Sequence, residues 1–299
     1  MKLSPDGGHA RRLAGLLHAA GVDGDFTVLA RLGSGQHHLT FKLSTVQGLL
    51  VARLPGAVCP PPGRIAAATA VQRAAEIAGL APPQLWCDPV SGASLSRWLE
   101  GEPLAPEDLC RPAVAGEVGA LIARLQSLPI DAPAPDPGVA ARDYAARLRF
   151  GQTADTAGPT RDRRLARLVR LAEACRPAAG EARPAHGDLV AGNLLRTSRG
   201  LGVLDWEYAG LAHPWWDPAS VVALHGLPTP ATRSLLAAAG LDAAAAESPE
   251  FARMAELVVL LAWAWAAAEA AARPGDPRPR TWLGALEARL AAHGHGPTS

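Results

Sequence analysis

The sequence predicts an α+β protein of two lobes, a small β-rich lobe over residues 1–97 and a larger helical lobe over residues 98–299. Three observations carry that expectation. Short β-prone runs separated by glycine breaks fill residues 26–54. A helical pattern rich in Ala and Leu dominates from Ala105 onward. Between the two, Leu95-Ser96-Arg97-Trp98-Leu99-Glu100-Gly101 gives way to the proline-containing link Glu102-Pro103-Leu104, which reads as a hinge.

Taken in order, residues 10–20 have the spacing of an amphipathic helix. Phe26-Thr27-Val28-Leu29-Ala30 is a strand, and Gly33-Ser34-Gly35 separates it from a second, Leu39-Thr40-Phe41-Lys42-Leu43. A turn at Gln47-Gly48 leads into a third strand, Leu49-Leu50-Val51-Ala52-Arg53-Leu54. Residues 64–78 are helical by composition, and Gly79 followed by Ala81-Pro82-Pro83 stops that helix. The helical remainder is broken by proline-rich loops at residues 131–138 and 273–280, and it contains no internal repeat.

At 299 residues and 48% hydrophobic, the chain is long enough and apolar enough for two sizeable cores. A net charge of +1 without charge blocks argues against nucleic acid or an acidic membrane surface as partner. Cys59, Cys87, Cys110 and Cys175 are scattered and form no Cys-x-x-Cys pair, which argues against a zinc site and a disulfide framework and favours the reduced cytoplasm. Met1-Lys2-Leu3-Ser4-Pro5-Asp6 lacks an apolar signal core, and the apolar stretch 257–268 is too short to span a bilayer.

The chemistry concentrates in His186-Gly187-Asp188-Leu189-Val190-Ala191-Gly192-Asn193 and in Val203-Leu204-Asp205-Trp206-Glu207. Phosphoryl transfer from ATP takes a carboxylate to orient and deprotonate the acceptor hydroxyl, and oxygen ligands to hold Mg²⁺ against the phosphates. Asp188, Asn193 and Asp205 supply that set, and the Asp-to-Asn gap matches the kinase catalytic loop H-R-D-x-x-x-x-N. Singly, each residue has a plainer role as a cap, a turn residue or a loop histidine. Together, on one loop and one strand end, they point to a catalytic site.

Gly33, Ser34 and Gly35 would lay backbone N–H groups over phosphates, or they form an ordinary hairpin. A cation for the α- and β-phosphates is expected on the third strand, where Arg53 lies. Lys42, on the preceding strand, could equally be a solvated charge. The helix at 64–78 is expected to offer Arg53 a carboxylate, and its only acid is Glu76, in the last turn. Backbone groups of the hinge would meet an adenine edge, with Trp98 packing beside them.

These segments, with Val51-Ala52-Arg53-Leu54-Pro55-Gly56, Gly79-Leu80-Ala81-Pro82 and Trp216-Asp217-Pro218-Ala219, resemble the choline kinase, thiamine kinase and aminoglycoside phosphotransferase superfamily. The resemblance implies a protein-kinase-like fold, with an N-terminal nucleotide-binding lobe and a C-terminal lobe for catalysis and acceptor binding. By it, Asp188 is the catalytic base, Asn193 and Asp205 the Mg²⁺ ligands and Arg53 the phosphate cation. His186 and Asp217 support the loop, and Glu207 faces the acceptor. The family usually places a helix Glu where this chain has Ala67, Ala68 and Thr69.

Six of the eight tryptophans fall from Trp206 onward. Indole faces attract quaternary ammonium and thiazolium-like cations, so Trp206 or Trp263 beside Glu207 would suit choline or thiamine, although large aromatics are also the default filler between helices. A polycationic aminoglycoside would want free acids, for which Glu247, Glu250, Glu256 and Glu269 are candidates. A third alternative is a catalytically weak, nucleotide-binding regulator. The acceptor and the oligomeric state are not fixed by the residues.

Overall fold

The computed structural model describes residues 7–34, 38–56, 62–130, 142–146, 148 and 158–293. The chain divides into two compact units, one of Met1–Leu104, Leu128–Pro133 and Gly192–Gly210, the other of Ala105–Ser127, Ala134–Ala191 and Leu211–Ser299. The expected division into 1–97 and 98–299 is continuous; the observed first unit also takes in Gly192–Gly210. Gly35, Cys59 and the loop 131–138 lie outside the described residues.

The first unit contains helix α1 (Gly7–Ala19) and strands β1 (Thr27–Ser34), β2 (His38–Thr45), β3 (Gly48–Pro55), β4 (Gln84–Cys87) and β5 (Ser94–Arg97), in the sheet order β1-β2-β3-β5-β4. Helix α2 (Pro62–Ile77) lies between β3 and β4 in sequence. Strand alternation sorts the side chains. Phe41, Leu43, Leu50, Ala52 and Leu54 are buried in one core with Leu13, Leu16 and Leu17 of α1, which leaves Val51 and Arg53 on the opposite face. The β2–β3 ladder is unbroken from Thr45↔Gly48 to His38↔Pro55 and sets Thr40 beside Arg53. Strand β1 runs past the expected 26–30, because Gly33 and Ser34 pair with Thr40 and Leu39.

A second small sheet in the same unit has the order β6-β8-β9, made of β6 (Glu102–Pro103), β8 (Leu194–Thr197) and β9 (Gly200–Val203). Its hydrogen bonds extend to the larger sheet's connections, since Leu80 O accepts from Val203 N at 2.8 Å.

In the second unit, β7 (Arg183–Ala185) and β10 (Gly210–Ala212) form a short ribbon. The described helices are α3 (Pro112–Gln126), α4 (Pro159–Ala174), α5 (Trp216–His225), α6 (Thr229–Ala238), α7 (Pro249–Ala272) and α8 (Pro277–His293). Helix α7 is the core helix, burying Leu257, Val259, Leu260, Trp263, Ala264 and Ala267. Pro249 at its start follows the Ser248 cap, whose Oγ accepts from Phe251 N at 3.1 Å. At 24 residues, with an 18-residue window of mean hydropathy 1.5, α7 is longer than the stretch 257–268 and meets the length and composition of a membrane span. In this fold 61% of that apolar window is buried inside the protein. The expected loop 273–280 is shorter than its prolines suggested. Pro277 and Pro279 sit in the first turn of α8, where a missing N–H breaks no intrahelical bond.

Helices α3 and α6 approach through Gly119, where an added Cβ would lie 2.2 Å from Leu235 O and 2.9 Å from Ala238 Cβ. Backbone cannot yield as a flexible side chain does. Gly119→Ala is therefore expected to destabilise the protein by about 1–3 kcal/mol, read as a lower urea midpoint at unchanged m-value.

Candidate active site

Each unit holds some of the residues singled out in the sequence. In the first, the β8–β9 hairpin pairs Leu194 with Val203. One step further along that register Leu204 N donates to Asn193 O at 2.8 Å. Asn193 and Asp205 are thereby set at the same end of one hairpin. Asp205 has φ 63°, ψ 65°, the left-handed conformation that no other described non-glycine residue adopts. Such a conformation costs on the order of 1–3 kcal/mol and is found where a function holds it. Its side chain makes no cap bond to the turn it opens; its carboxylate meets Arg53 Nη2 at 2.9 Å.

Arg53 also meets Glu207, with Nη2 2.8 Å from Oε2, and His38 Nδ1 lies 2.8 Å from that same Oε2. Nη2 has two protons, and the two carboxylates take both. The 3.2 Å approach of Nη2 to His38 Nδ1 is then proximity only, and His38 donates to Glu207. Burial alone would lower the Arg53 pKa, but Asp205 and Glu207 together outweigh it and hold the guanidinium charged, above its usual value. Its Nε is buried with no hydrogen-bond partner among the described residues. An orphaned donor on a charged guanidinium suits a phosphate oxygen.

Glu76 does not fill the helix position. Its Oε2 accepts from Gln84 N at 3.1 Å, tying the end of α2 to β4. Glu207, expected to face the acceptor, is instead turned to Arg53 and His38. Lys42, half-buried, places its Nζ 3.5 Å from the centroid of the Trp98 ring.

For Mg²⁺, the carboxylate of Asp205 and the amide oxygen of Asn193 are hard oxygen donors of the right kind. Among the described residues no group of three or more His, Cys, Asp or Glu side chains could hold a metal ion. That fits Mg²⁺, which uses one or two carboxylates and completes its shell with phosphates and water.

In the second unit, helix α5 pins the loop that carries Asp188. Asp217, 1% exposed, accepts from His186 N at 2.7 Å and from Gly187 N at 3.0 Å. Trp216 Nε1 donates to Gly187 O at 3.3 Å. Gly187 has φ +85°, which a side chain rarely adopts, so the turn before Asp188 depends on glycine. His186, fully buried, accepts from Asp188 N through Nδ1 at 3.3 Å, so its proton sits on Nε2. At the far end of α5, His225 Nε2 accepts from Ala191 N at 3.1 Å. The loop's backbone is thus held at both ends by one helix.

Burial, aided by Arg289, pushes His225 down to about 4. A histidine whose folded value lies below its unfolded value of about 6.5 contributes stability that is present above 6.5 and lost as the pH falls through about 4. Replacing it by glutamine keeps an acceptor and removes the titration. His225→Gln is expected to narrow the loss of stability between pH 7 and pH 4 by up to about 3 kcal/mol, measured by urea unfolding at the two values.

Sequence reasoning missed His225, Trp216 as a loop donor and His38. Trp206 and Trp263, expected as acceptor residues, are each 2% exposed. Trp206 donates to Val203 O at 3.0 Å; Trp263 donates to Glu287 at 3.3 Å and lies beneath the Arg164 guanidinium at 5.3 Å. As placed, neither offers a face to a ligand. The four glutamates considered for a polycationic acceptor are each paired: Glu247 with Arg233 at 3.9 Å, Glu250 with Arg253 at 2.9 Å, Glu256 with Arg167 at 2.7 Å, and Glu269 with Arg273.

The chain belongs to the phosphotransferase enzyme family, which it matches over residues 28–257. It is similar to a choline/ethanolamine kinase family protein from Mesorhizobium loti, with 24% identity, 97% of this chain and 95% of that one covered, and a TM-score of 0.72. The choline kinase LicA from Streptococcus pneumoniae is 13% identical over 95% of this chain and 99% of its own, at 0.67. The macrolide 2'-phosphotransferase MphH from Brachybacterium faecium is 20% identical over 96% and 99%, at 0.57. At these identities the likeness establishes the fold, which is protein-kinase-like. No curated protein matches the sequence.

Proposed function

We propose that this protein transfers the γ-phosphoryl group of ATP to a hydroxyl of a small metabolite, with Mg²⁺ as cofactor. The observation that carries this reading is the loop with Asp188, pinned by Asp217 and Trp216, on a chain whose hairpin pairs Asn193 with Leu204, the residue before Asp205. Asp188 takes the proton of the acceptor hydroxyl as its oxygen attacks phosphorus, and the bond to the bridging oxygen breaks to release ADP. Arg53 receives phosphate charge at its orphaned Nε, with Gly33 and Ser34 of the β1 end offering backbone N–H groups. When bound, Mg²⁺ at Asn193 and Asp205 neutralises the phosphate oxygens. LicA has also been solved in complex with AMP, which supports a nucleotide as donor.

The acceptor we infer is small and carries at most a single positive charge, such as choline, ethanolamine or thiamine. With Glu247, Glu250, Glu256 and Glu269 each beside an arginine, a polycationic aminoglycoside would meet carboxylates whose charge is already offset, which favours the smaller acceptor. Trp216, half-buried and bonded to the carbonyl just before Asp188, offers indole surface for a quaternary ammonium. Unpaired Cys87, Cys110 and Cys175 accord with a cytoplasmic setting.

ADP formation with Mg²⁺ against choline, ethanolamine, thiamine, a sugar, a nucleoside and an aminoglycoside is the direct test. Turnover with one of the first three is expected. Turnover with the aminoglycoside alone would overturn the acceptor class, and nucleotide binding without turnover on any compound would favour a regulator.

A further inference from the structure

We propose that Glu207, steadied by His38, is the residue that positions Arg53 for the nucleotide phosphates, in place of a carboxylate on helix α2. This deepens the phosphotransferase reading and rests on it. The need is physical: Arg53 has only 21% of its side chain exposed, and a charge so placed must be paired. Helix α2 offers no partner, since its one acid, Glu76, is committed to Gln84 N. Asp205 and Glu207 share the pairing, but they are not equivalent. The Asp205 side chain is 43% exposed and follows Leu204, the residue paired with Asn193, at the hairpin end, where a divalent cation, if bound, would compete for it. Glu207 is 17% exposed and is fixed from behind by His38, itself 8% exposed. When metal and nucleotide draw on Asp205, Glu207 remains as the hold that keeps the guanidinium from swinging out of the site. The hydrogen count supports the order of the relay, with Nδ1–H of His38 donating to Glu207 and Arg53 Nη2 donating to the same oxygen.

The test is binding of Mg-ATP by titration calorimetry, with Michaelis constants for ATP and for the acceptor measured alongside. Glu207→Gln keeps the shape and removes the charge, and it is expected to weaken ATP binding about tenfold, the effect of one charged hydrogen bond, with the acceptor constant unchanged. His38→Ala is expected to act in the same direction, and His38→Asn, which keeps a donor near the position of Nδ1, to restore part of the loss. In an Arg53→Met background Glu207→Gln is expected to add nothing. A raised acceptor constant with unchanged ATP binding would show Glu207 facing the acceptor and overturn the proposal, as would additive losses in the double variant. Failure of the wild type to bind Mg-ATP at all would instead bring down the phosphotransferase reading, and this proposal with it.

Discussion

Replacing Asp188 with asparagine is expected to lower turnover about 10²- to 10⁴-fold, the usual contribution of a positioned general base. Asparagine has the size of aspartate and can still accept a hydrogen bond, but it cannot take up the hydroxyl proton as the new bond to phosphorus forms. The loop is anchored from other side chains: Asp217 holds the amides of His186 and Gly187, and His225 holds the amide of Ala191. Mg-ATP binding and the unfolding midpoint should therefore stay close to wild type while turnover collapses. Retention of more than about a tenth of wild-type turnover would remove Asp188 as base. Loss of folding together with activity would show a structural role in its place.

The motif around Asp188 stands out in the sequence because its residues are close along the chain. A base, an amide five positions on and an acid after a short strand lie within eighteen residues of one another, and the pairing of Asn193 with Leu204, just before Asp205, follows from the hairpin between them. Strands β2 and β3 were legible for the same reason, through their alternation and the glycine at their turn. What the sequence did not show was partnership at a distance. Glu207 lies 154 positions from Arg53 and His38 169 from Glu207, and no periodicity links them. A search for the arginine's partner on the following helix therefore found Glu76, which the fold had assigned to a backbone amide. The glutamates of the C-terminal helices looked unneutralised because Arg167 and Arg233, which pair with Glu256 and Glu247, come from α4 and α6. The tryptophans misled in another way. Composition counts indoles but does not say which face the core, and both Trp206 and Trp263 do.

Asp217→Asn is expected to be the most damaging single change outside the reacting groups. The carboxylate satisfies two backbone donors of the loop with two oxygens, in a site where water does not reach. Asparagine offers one oxygen, and its NH₂ would face the second N–H, leaving a buried donor unpaired at a cost of about 1–3 kcal/mol. The loss falls on the segment that aims Asp188, where a displacement of about 1 Å can lower turnover on the order of 10²-fold. Unfolding and turnover should therefore fall together, unlike in Asp188→Asn. Burial pushes the Asp217 carboxyl above the usual carboxylate range, and the contacts with His186 and the two amides offset this only in part. The folded protein thus holds that proton more tightly than the unfolded chain. The stability that the carboxyl contributes is fullest below its unfolded pKa and declines as the pH rises through the raised folded value. The margin of the wild type over Asp217→Asn in urea unfolding should narrow from acid to neutral pH. It should not close, because at neutral pH the ionised carboxylate pairs both amides, one of which asparagine leaves bare. A margin that widens with pH would mean that the ionised carboxylate is favoured by the fold, and the loop would then owe its position to charge more than to the pairing of its amides.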